Sequence, residues 1–305
     1  MSLSGLFVPL VTPFDATGAV DVAALERLAG DVLDAGADGL VALGTTGEPA
    51  TLDAAERREV TTACARVAAG RPLLVGAGGN DTRASVEALR ELAGIPGVTA
   101  ALVPVPPYTR PSAAGVVAHF TQLAAASPLP LLVYDVPHRT GLPVDGATLR
   151  ELAAISGVVG MKKATATLDA DTVGLLADPP PDFVVLAGDD VMAGPLLALG
   201  AAGGILASAH IATGRWAAVV GAWRRGDAVA ARAAGAPLAA LAAALFAEPN
   251  PSVIKGVLHA TGRIPTADVR LPLLPASPTA VAEALARTPQ VADLPAEPGG
   301  GAERR

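Results

Sequence analysis

Eight short apolar segments, each followed by a longer amphipathic segment, constrain the fold of this chain more than any other feature. Nearly every apolar segment is hydrophobic on both faces, which is typical of a parallel sheet covered by helices. Eight such units predict an α/β fold of the (β/α)8 TIM-barrel type. A doubly wound open sheet is the alternative, but such sheets usually carry fewer strands and a glycine-rich nucleotide turn. The predicted strands are residues 6–11, 39–43, 72–76, 100–104, 130–136, 158–162, 183–188 and 203–207.

The strand signals stop after Trp223, and helical patterns follow. We therefore expect a catalytic barrel over residues 1–225 and a C-terminal helical appendage over residues 226–290. Residues 291–305 are rich in glycine, proline and charge and predict a disordered tail. The longest apolar run, residues 237–247, is shorter than the ~20 residues that span a bilayer and predicts a buried helix.

The composition argues against several classes of function. The formal net charge is −7 at pH 7 and no basic cluster is visible, so neither a nucleic-acid nor a membrane partner is expected. A single cysteine, Cys64, excludes an intrachain disulfide and favours a cytoplasmic location. The four histidines lack metal-ligand spacing, so no metal site is expected.

Lysine is scarce, since only three of the 22 basic residues are lysines. Tyrosine and asparagine occur twice each. Such a bias suggests that these residues persist where a substitute fails. Two of the lysines, Lys162 and Lys163, are adjacent at the end of the sixth predicted strand.

The active site of a (β/α)8 barrel lies at the C-terminal ends of its strands. The residues that the sequence places there are Thr45, Thr46, Tyr108, Tyr134, Arg139, Lys162, Gly188 and Asp189. Both tyrosines of the chain and two of its three lysines are in this group.

Only one of the adjacent lysines can face the barrel interior, because successive strand residues point to opposite sides. If Lys162 faces inward, Val158 and Gly160 do too, and Gly160 leaves room for the long side chain. The other parity, with Val159 and Met161 inside, also packs, so parity favours Lys162 only slightly. A lysine that forms a Schiff base must lose its proton, which arginine cannot do. A buried lysine that pairs with a carboxylate is an equally good interpretation from the strand alone.

Other motifs are ambiguous. Residues 43–52, LGTTGEPATL, either cradle a small carboxylate with hydroxyls and backbone amides or form a tight turn and a helix cap. Residues 75–80, VGAGGN, lack the third glycine of a dinucleotide-binding fingerprint. Asp189 and Asp190 are either a catalytic pair or, as we favour, helix-capping residues.

Six motifs taken together resemble the dihydrodipicolinate synthase and N-acetylneuraminate lyase family of Schiff-base aldolases. They are GTTGEPATL (44–52), PPYTRPS (106–112), YDVPHRTG (134–141), GMKKAT (160–165), AGDD (187–190) and EPNPSVIK (248–255). The resemblance implies that Lys162 forms an imine with pyruvate and that no other cofactor is needed. It also implies that Tyr134 transfers protons, with Thr45 and a Tyr108 from a neighbouring subunit completing the relay.

The resemblance further implies the residues that bind substrate. Thr46, Gly188 and the backbone around Ile205 are expected near pyruvate, and Arg139 near the carboxylate of a small aldehyde. Three positions depart from the family pattern, since Asp135, His138 and Lys163 replace an asparagine, a small residue and an acidic residue.

The implied reaction is the condensation of pyruvate with aspartate semialdehyde to 4-hydroxy-tetrahydrodipicolinate, which serves lysine and diaminopimelate biosynthesis. The implied assembly is a homo-oligomer, a dimer of dimers. Two alternatives stay open at this point: an aldolase or dehydratase for 2-keto-3-deoxy sugar acids or N-acetylneuraminate, and a non-catalytic barrel that binds a keto acid.

Overall fold

The computed structural model describes residues 3–291, which contain eight parallel strands in a closed barrel. Each strand pairs with its neighbours in sequence order, and β1 also pairs with β8 to close the ring. The predicted TIM barrel is thereby confirmed. The strands are β1 (Gly5–Pro9), β2 (Gly39–Ala42), β3 (Leu73–Gly76), β4 (Val98–Pro104), β5 (Leu131–Asp135), β6 (Val158–Lys163), β7 (Val184–Ala187) and β8 (Gly203–Ile205).

Helices cover the outside of the barrel and form the C-terminal appendage. They are α1 (Val22–Asp34), α2 (Ala54–Ala68), α3 (Thr82–Ala93), α4 (Ala113–Ala126), α5 (Pro137–Thr140), α6 (Gly146–Ala153), α7 (Ala170–Ala177), α8 (Ala193–Ala198), α9 (Thr213–Arg224), α10 (Ala228–Leu245), α11 (Ser252–Ala260) and α12 (Pro278–Leu285). Short 3-10 turns occur at Thr45–Gly47, Pro49–Thr51, Ala207–His210 and Thr288–Val291.

Side-chain caps fix where many of these helices begin. Asp53 accepts a hydrogen bond from the Glu56 amide, and the Glu56 carboxylate accepts one from the Asp53 amide, which completes a capping box at α2. Each such bond satisfies an amide that the helix itself leaves unpaired. Other caps are made by Asp21, Asp81, Ser112, Asp145, Asp169, Asp227 and Ser277.

The core has two layers, as expected for strands that are buried on both faces. A small cluster fills the barrel and includes Phe7, Val41, Leu132, Tyr134 and Ile205. A larger cluster lies between the strands and the surrounding helices. The residues at the barrel mouth pack on the inner layer.

A register shift between β5 and β6 interrupts the alternation of side chains. Leu131 aligns with Val158, but Leu132 aligns with Gly160, so Val159 is passed over. Val159 therefore packs on the barrel interior, whereas Val158 belongs to the outer layer. The prediction that Val158 faces inward is wrong, because a β-bulge breaks the period of two.

Helix α10 has the length and apolarity of a membrane span, with 18 residues and a mean hydropathy of 1.6, but a third of it is buried (33%). One face, which includes Leu238, Leu241 and Leu245, packs on the rest of the fold. The predicted buried helix is thus buried on one side. The expected tail lies outside the described residues except for Val291, which ends a 3-10 turn.

Candidate active site

Lys162 and Tyr134 stand side by side at the mouth of the barrel. Their Cα atoms are register partners on β6 and β5, and Lys162 Nζ lies 4.4 Å from the centre of the Tyr134 ring. Both residues are buried, each with 8% of its surface exposed. The structure therefore places the amine over the Tyr134 ring in a site that is mostly shielded from water, which makes Tyr134 a candidate for the proton transfer that imine chemistry requires.

Gly188 gives the Lys162 side chain its space. A Cβ atom at position 188 would lie 2.6 Å from Lys162 Cγ and 2.7 Å from Lys162 Cε. A Cβ at Gly160, by contrast, would meet Val184 Cγ2 and the Val184 carbonyl oxygen at 2.5 Å. Gly160 thus permits close packing of β7, and the expectation that it leaves room for Lys162 is wrong.

Lys163 points to the opposite side of β6 and forms an ion pair. Its Nζ lies 2.6 Å from Asp135 Oδ2, and the two side chains are 2% and 1% exposed. Burial raises the pKa of the Asp135 carboxyl, and the Lys163 ammonium opposes that rise. Asp135 and Lys163, two of the three residues that depart from the family pattern, therefore form a single ion pair. The carboxylate-paired interpretation applies to Lys163.

The segment after β2 is a tight turn that presents Thr45 and Thr46. Thr46 is buried, and its hydroxyl accepts a hydrogen bond of 2.9 Å from the Asn250 side-chain amide. Thr12 donates to the Gly47 carbonyl at 2.7 Å. Thr45 is half-buried. The turn and the helix cap are confirmed, and the segment follows β2 at the same end of the barrel as Lys162.

Glu48 joins this turn to the C-terminal part of the chain through an ion pair and a hydrogen bond. It has a left-handed backbone with φ +55°, and its Oε1 lies 2.7 Å from Lys255 Nζ, with both side chains buried. Burial lowers the pKa of Lys255, and the Glu48 carboxylate opposes that shift. The Glu48 Oε2 accepts from the Arg270 amide at 2.9 Å. The C-terminal helices thus support the site, through residues that our site predictions omit.

The scarcity of lysine and asparagine could have identified these supports. All three lysines are buried, and the two that do not face the barrel mouth each pair with a carboxylate. Asn250 is buried as well, on the threonine turn. Each of these side chains makes a buried polar contact whose partner would be left unpaired by an apolar substitute.

Arg139 and His138 lie at the rim. Both are exposed residues of the single-turn helix α5, which follows the Tyr134 strand. Partial burial lowers the pKa of His138, and the neighbouring Arg139 and Lys162 charges lower it further, while Asp189 opposes them. The rim above Lys162 therefore carries charges of both signs, as a site for a charged small molecule would.

Tyr108 is not brought to Lys162 within one chain. It is 89% exposed, and its backbone is left-handed with φ +67°. Its amide donates to the Thr140 carbonyl at 3.1 Å, which ties the segment after β4 to α5. Gly188 does pack on Lys162, and Ile205 belongs with Tyr134 to the cluster that fills the barrel.

Asp189 and Asp190 have separate structural roles. Asp189 accepts from the Met192 amide at 3.1 Å, just before α8. Asp190 is buried and accepts from the Ser208 amide at 2.6 Å, and burial raises its pKa. The Asp189 bond closes the turn before α8, but the N-cap of α8 is Met192 and has no side-chain cap, so the favoured helix-capping interpretation is wrong. Asp190 links the segments that follow β7 and β8. Among residues 3–291, no group of three or more His, Cys, Asp or Glu could hold a metal ion.

Comparison with known proteins places this site in a family. A model of the dihydrodipicolinate synthetase family matches residues 2–288. The 4-hydroxy-tetrahydrodipicolinate synthase of Moorella thermoacetica is 40% identical over 281 residues, which cover 91% of this chain and 94% of that protein. The enzyme of the same name from Pseudomonas aeruginosa is 39% identical over 282 residues, with 90% and 94% covered.

Solved structures agree. The 4-hydroxy-tetrahydrodipicolinate synthase of Methylacidiphilum fumariolicum SolV has a TM-score of 0.90 at 31% identity, with 95% of this chain and 97% of that chain covered. The chloride-inhibited dihydrodipicolinate synthase of Acinetobacter baumannii, complexed with pyruvate, has a TM-score of 0.90 at 34% identity, with 94% and 99% covered. These findings confirm the predicted class of enzyme, a Schiff-base aldolase-type lyase. The chain belongs to the dihydrodipicolinate synthetase family.

Proposed function

We propose that this protein condenses pyruvate with aspartate semialdehyde through an imine on Lys162 and releases 4-hydroxy-tetrahydrodipicolinate. The observation that carries the proposal is the buried Lys162 amine beside the Tyr134 ring, at the end of the barrel where such sites lie. The names of the similar proteins, given above, support the same reaction.

The chemistry begins with the Lys162 amine, which attacks the ketone of pyruvate and expels water to form the imine. Loss of a methyl proton gives an enamine, whose carbon attacks the aldehyde and leaves a hydroxyl. The amino group of the second substrate then displaces Lys162 from the imine carbon and closes the ring. One water is released overall, and Lys162 is regenerated without any further cofactor.

Tyr134 is the proton donor and acceptor in these steps, a role supported by the 4.4 Å between the Lys162 amine and the centre of the Tyr134 ring. Thr45 passes protons from Tyr134 toward Tyr108. The 89% exposure of Tyr108 within one chain supports a role for this residue in the site of a neighbouring subunit. The working assembly is then at least a dimer, and a homotetramer built as a dimer of dimers is the proposed state.

Substrate binding follows from the surrounding groups. Thr46 and the backbone around Ile205 hold pyruvate, with Gly188 beside the Lys162 stem. Arg139 binds the carboxylate of aspartate semialdehyde, because a guanidinium can form two parallel hydrogen bonds to it. The protein acts in the cytoplasm, in lysine and diaminopimelate biosynthesis, without a nucleic-acid or membrane partner. The net charge of −7 supports this setting.

Borohydride reduction in the presence of pyruvate tests the imine. Peptide mapping by mass spectrometry should find the reduced adduct on Lys162, and Lys162→Arg should abolish it although the charge is retained. Lys163, on the same peptide, is the internal control. An adduct on Lys163, or no adduct at all, contradicts the mechanism.

The second substrate is tested by turnover with aspartate semialdehyde and with 2-keto-3-deoxy sugar acids. We expect turnover with the semialdehyde, and Arg139→Gln should raise its KM while the KM for pyruvate stays within about threefold. Turnover of the sugar acids alone contradicts the assignment.

Mixed subunits test the role of Tyr108. A preparation of Lys162→Arg chains and one of Tyr108→Phe chains are each expected to be nearly inactive. Unfolding and refolding the two together should restore activity, because a mixed dimer has one site with Lys162 from one chain and Tyr108 from the other. If activity is not restored, while two wild-type preparations treated alike recover theirs, Tyr108 does not act across an interface.

A further inference from the structure

We propose that Asp135 and Lys163 form a positioning pair that holds Lys162 against Tyr134 from behind the strands. The inference rests on the proposed role of Lys162 as the imine-forming residue. It concerns two residues whose side chains lie on the face of β5 and β6 opposite to Tyr134 and Lys162.

The register of β5 and β6 provides the geometric basis. Tyr134 aligns with Lys162, and the next residues, Asp135 and Lys163, align with each other. Because strand residues alternate, each member of the ion pair adjoins one member of the catalytic pair on the opposite face. The 2.6 Å contact between Lys163 Nζ and Asp135 Oδ2 therefore links the two strands at the point where the reactive side chains depart from them.

Backbone hydrogen bonds extend this link to the neighbouring segments. The Asp135 carbonyl accepts from the Ala164 amide at 2.9 Å, immediately after β6. The Lys163 carbonyl accepts from the Gly188 amide at 2.7 Å, and Gly188 is the residue that packs on the Lys162 stem. A shift of either charged residue would therefore move a segment that contacts Lys162.

Burial makes each charge of the pair dependent on the other. Asp135 Oδ1 is buried and has no hydrogen-bond partner among the described residues, so Lys163 is the cation on which the Asp135 charge depends. A charge that loses its partner in such a place is costly to keep. The pair is consequently held in one geometry, unlike an exposed ion pair that exchanges with water.

A cavity of about 180 Å³ lies beside the pair, and its lining includes His138, Thr165 and Asp169 as well as the two ions. The cavity offers room for a side chain somewhat larger than lysine. Lys163→Arg can therefore keep a cation against Asp135. This makes it the matched variant for Lys163→Met, which keeps most of the stem but removes the charge.

The test measures the rate of imine formation at saturating pyruvate, by rapid quenching with borohydride, together with the pyruvate concentration at half saturation. Lys163→Met should slow imine formation by roughly tenfold or more, while half saturation changes less than about threefold. Lys163→Arg should keep the rate within about threefold of wild type. Circular dichroism and Tm establish that each variant is folded at the temperature of the assay.

If Lys163→Met does not fold, the double variant Asp135→Asn/Lys163→Met can be tested in its place. The double variant removes both charges and so leaves no unpaired buried charge. We expect it to be folded and still at least about tenfold slow, since the link between the strands is gone. A double variant that forms the imine at the wild-type rate overturns the proposal. So does a Lys163→Arg variant as slow as Lys163→Met. Failure of the wild-type protein to form any adduct on Lys162 would instead refute the proposed function.

Discussion

Lys255 and Glu48 are 207 positions apart in the chain, yet they form a fully buried ion pair of 2.7 Å beneath the threonine turn. Lys255 Nζ also lies 4.0 Å from the centre of the Phe14 ring, so three distant segments meet at one point. The C-terminal helices thereby contribute to the barrel mouth. The division between residues 1–225 and 226–290 stays a prediction, but a barrel that lacked the second part would lose these supports.

The first prediction concerns this pair. Lys255→Met should destabilise the protein by about 3–5 kcal/mol, because it leaves the buried Glu48 carboxylate without its ammonium. Thermal and urea unfolding would measure the loss. The double variant Glu48→Gln/Lys255→Met should recover much of it. As a control, Arg90→Met removes an exposed ion pair with Glu87 and should cost less than about 0.5 kcal/mol. Equal losses in Lys255→Met and Arg90→Met would contradict the argument.

The second prediction concerns the space beside Lys162. Gly188→Ala should lower kcat by roughly tenfold to a hundredfold, because the new methyl group displaces the Lys162 side chain. The matched control is Gly194→Ala on the following helix, where a Cβ meets no atom within 4 Å and activity should be unchanged. Steady-state kinetics would measure kcat for both variants. An unaltered kcat in Gly188→Ala would show that the space beside Lys162 is unimportant for turnover.

The third prediction concerns Asn250. Asn250→Ala removes the donor that orients the Thr46 hydroxyl and should raise the KM for pyruvate roughly tenfold, the value of one net hydrogen bond. The other asparagine provides the control: Asn80 is exposed, and Asn80→Ala should leave the KM unchanged. If both variants bind pyruvate as the wild type does, Thr46 does not depend on Asn250.

The fourth prediction concerns pH. His210 is fully buried, and its Nε2 accepts from the Val11 amide at 3.2 Å. Burial lowers the pKa of His210 from 6.5 to about 4, with the nearby Arg263 charge acting in the same direction. The unfolded chain therefore binds a proton between these values that the folded protein does not. This contribution to stability is fully present above about pH 6.5, and about 3 kcal/mol is lost as the pH falls toward 4.

The measurement for that prediction is Tm against pH. His210→Gln should be less stable at pH 7.5 but should show a shallower decline in Tm between pH 6.5 and 4. His259→Gln, which removes an exposed histidine of α11, should keep the wild-type slope. The same slope in His210→Gln and wild type would rule out His210 as the source.

The pattern of apolar segments predicts the barrel because strand and helix periodicity are local properties of a sequence. Lys162 and Tyr134 are also accessible from the sequence, since strand ends indicate where reactive residues gather and imine chemistry requires lysine. The bulge at Val159 escaped prediction, because the strand pattern does not show where pairing skips a residue.

The amino-acid sequence by itself determined the eight-stranded barrel, the position of its mouth and the lysine and tyrosine that lie there. Only the tertiary structure decided that Lys163 pairs with Asp135, that Gly188 makes room for Lys162, and that Asn250 and Lys255 reach the threonine turn. The reason is that periodicity acts between near neighbours in the chain. Contacts across the barrel and its appendage depend instead on how complete elements pack, and a single sequence carries no direct record of that packing.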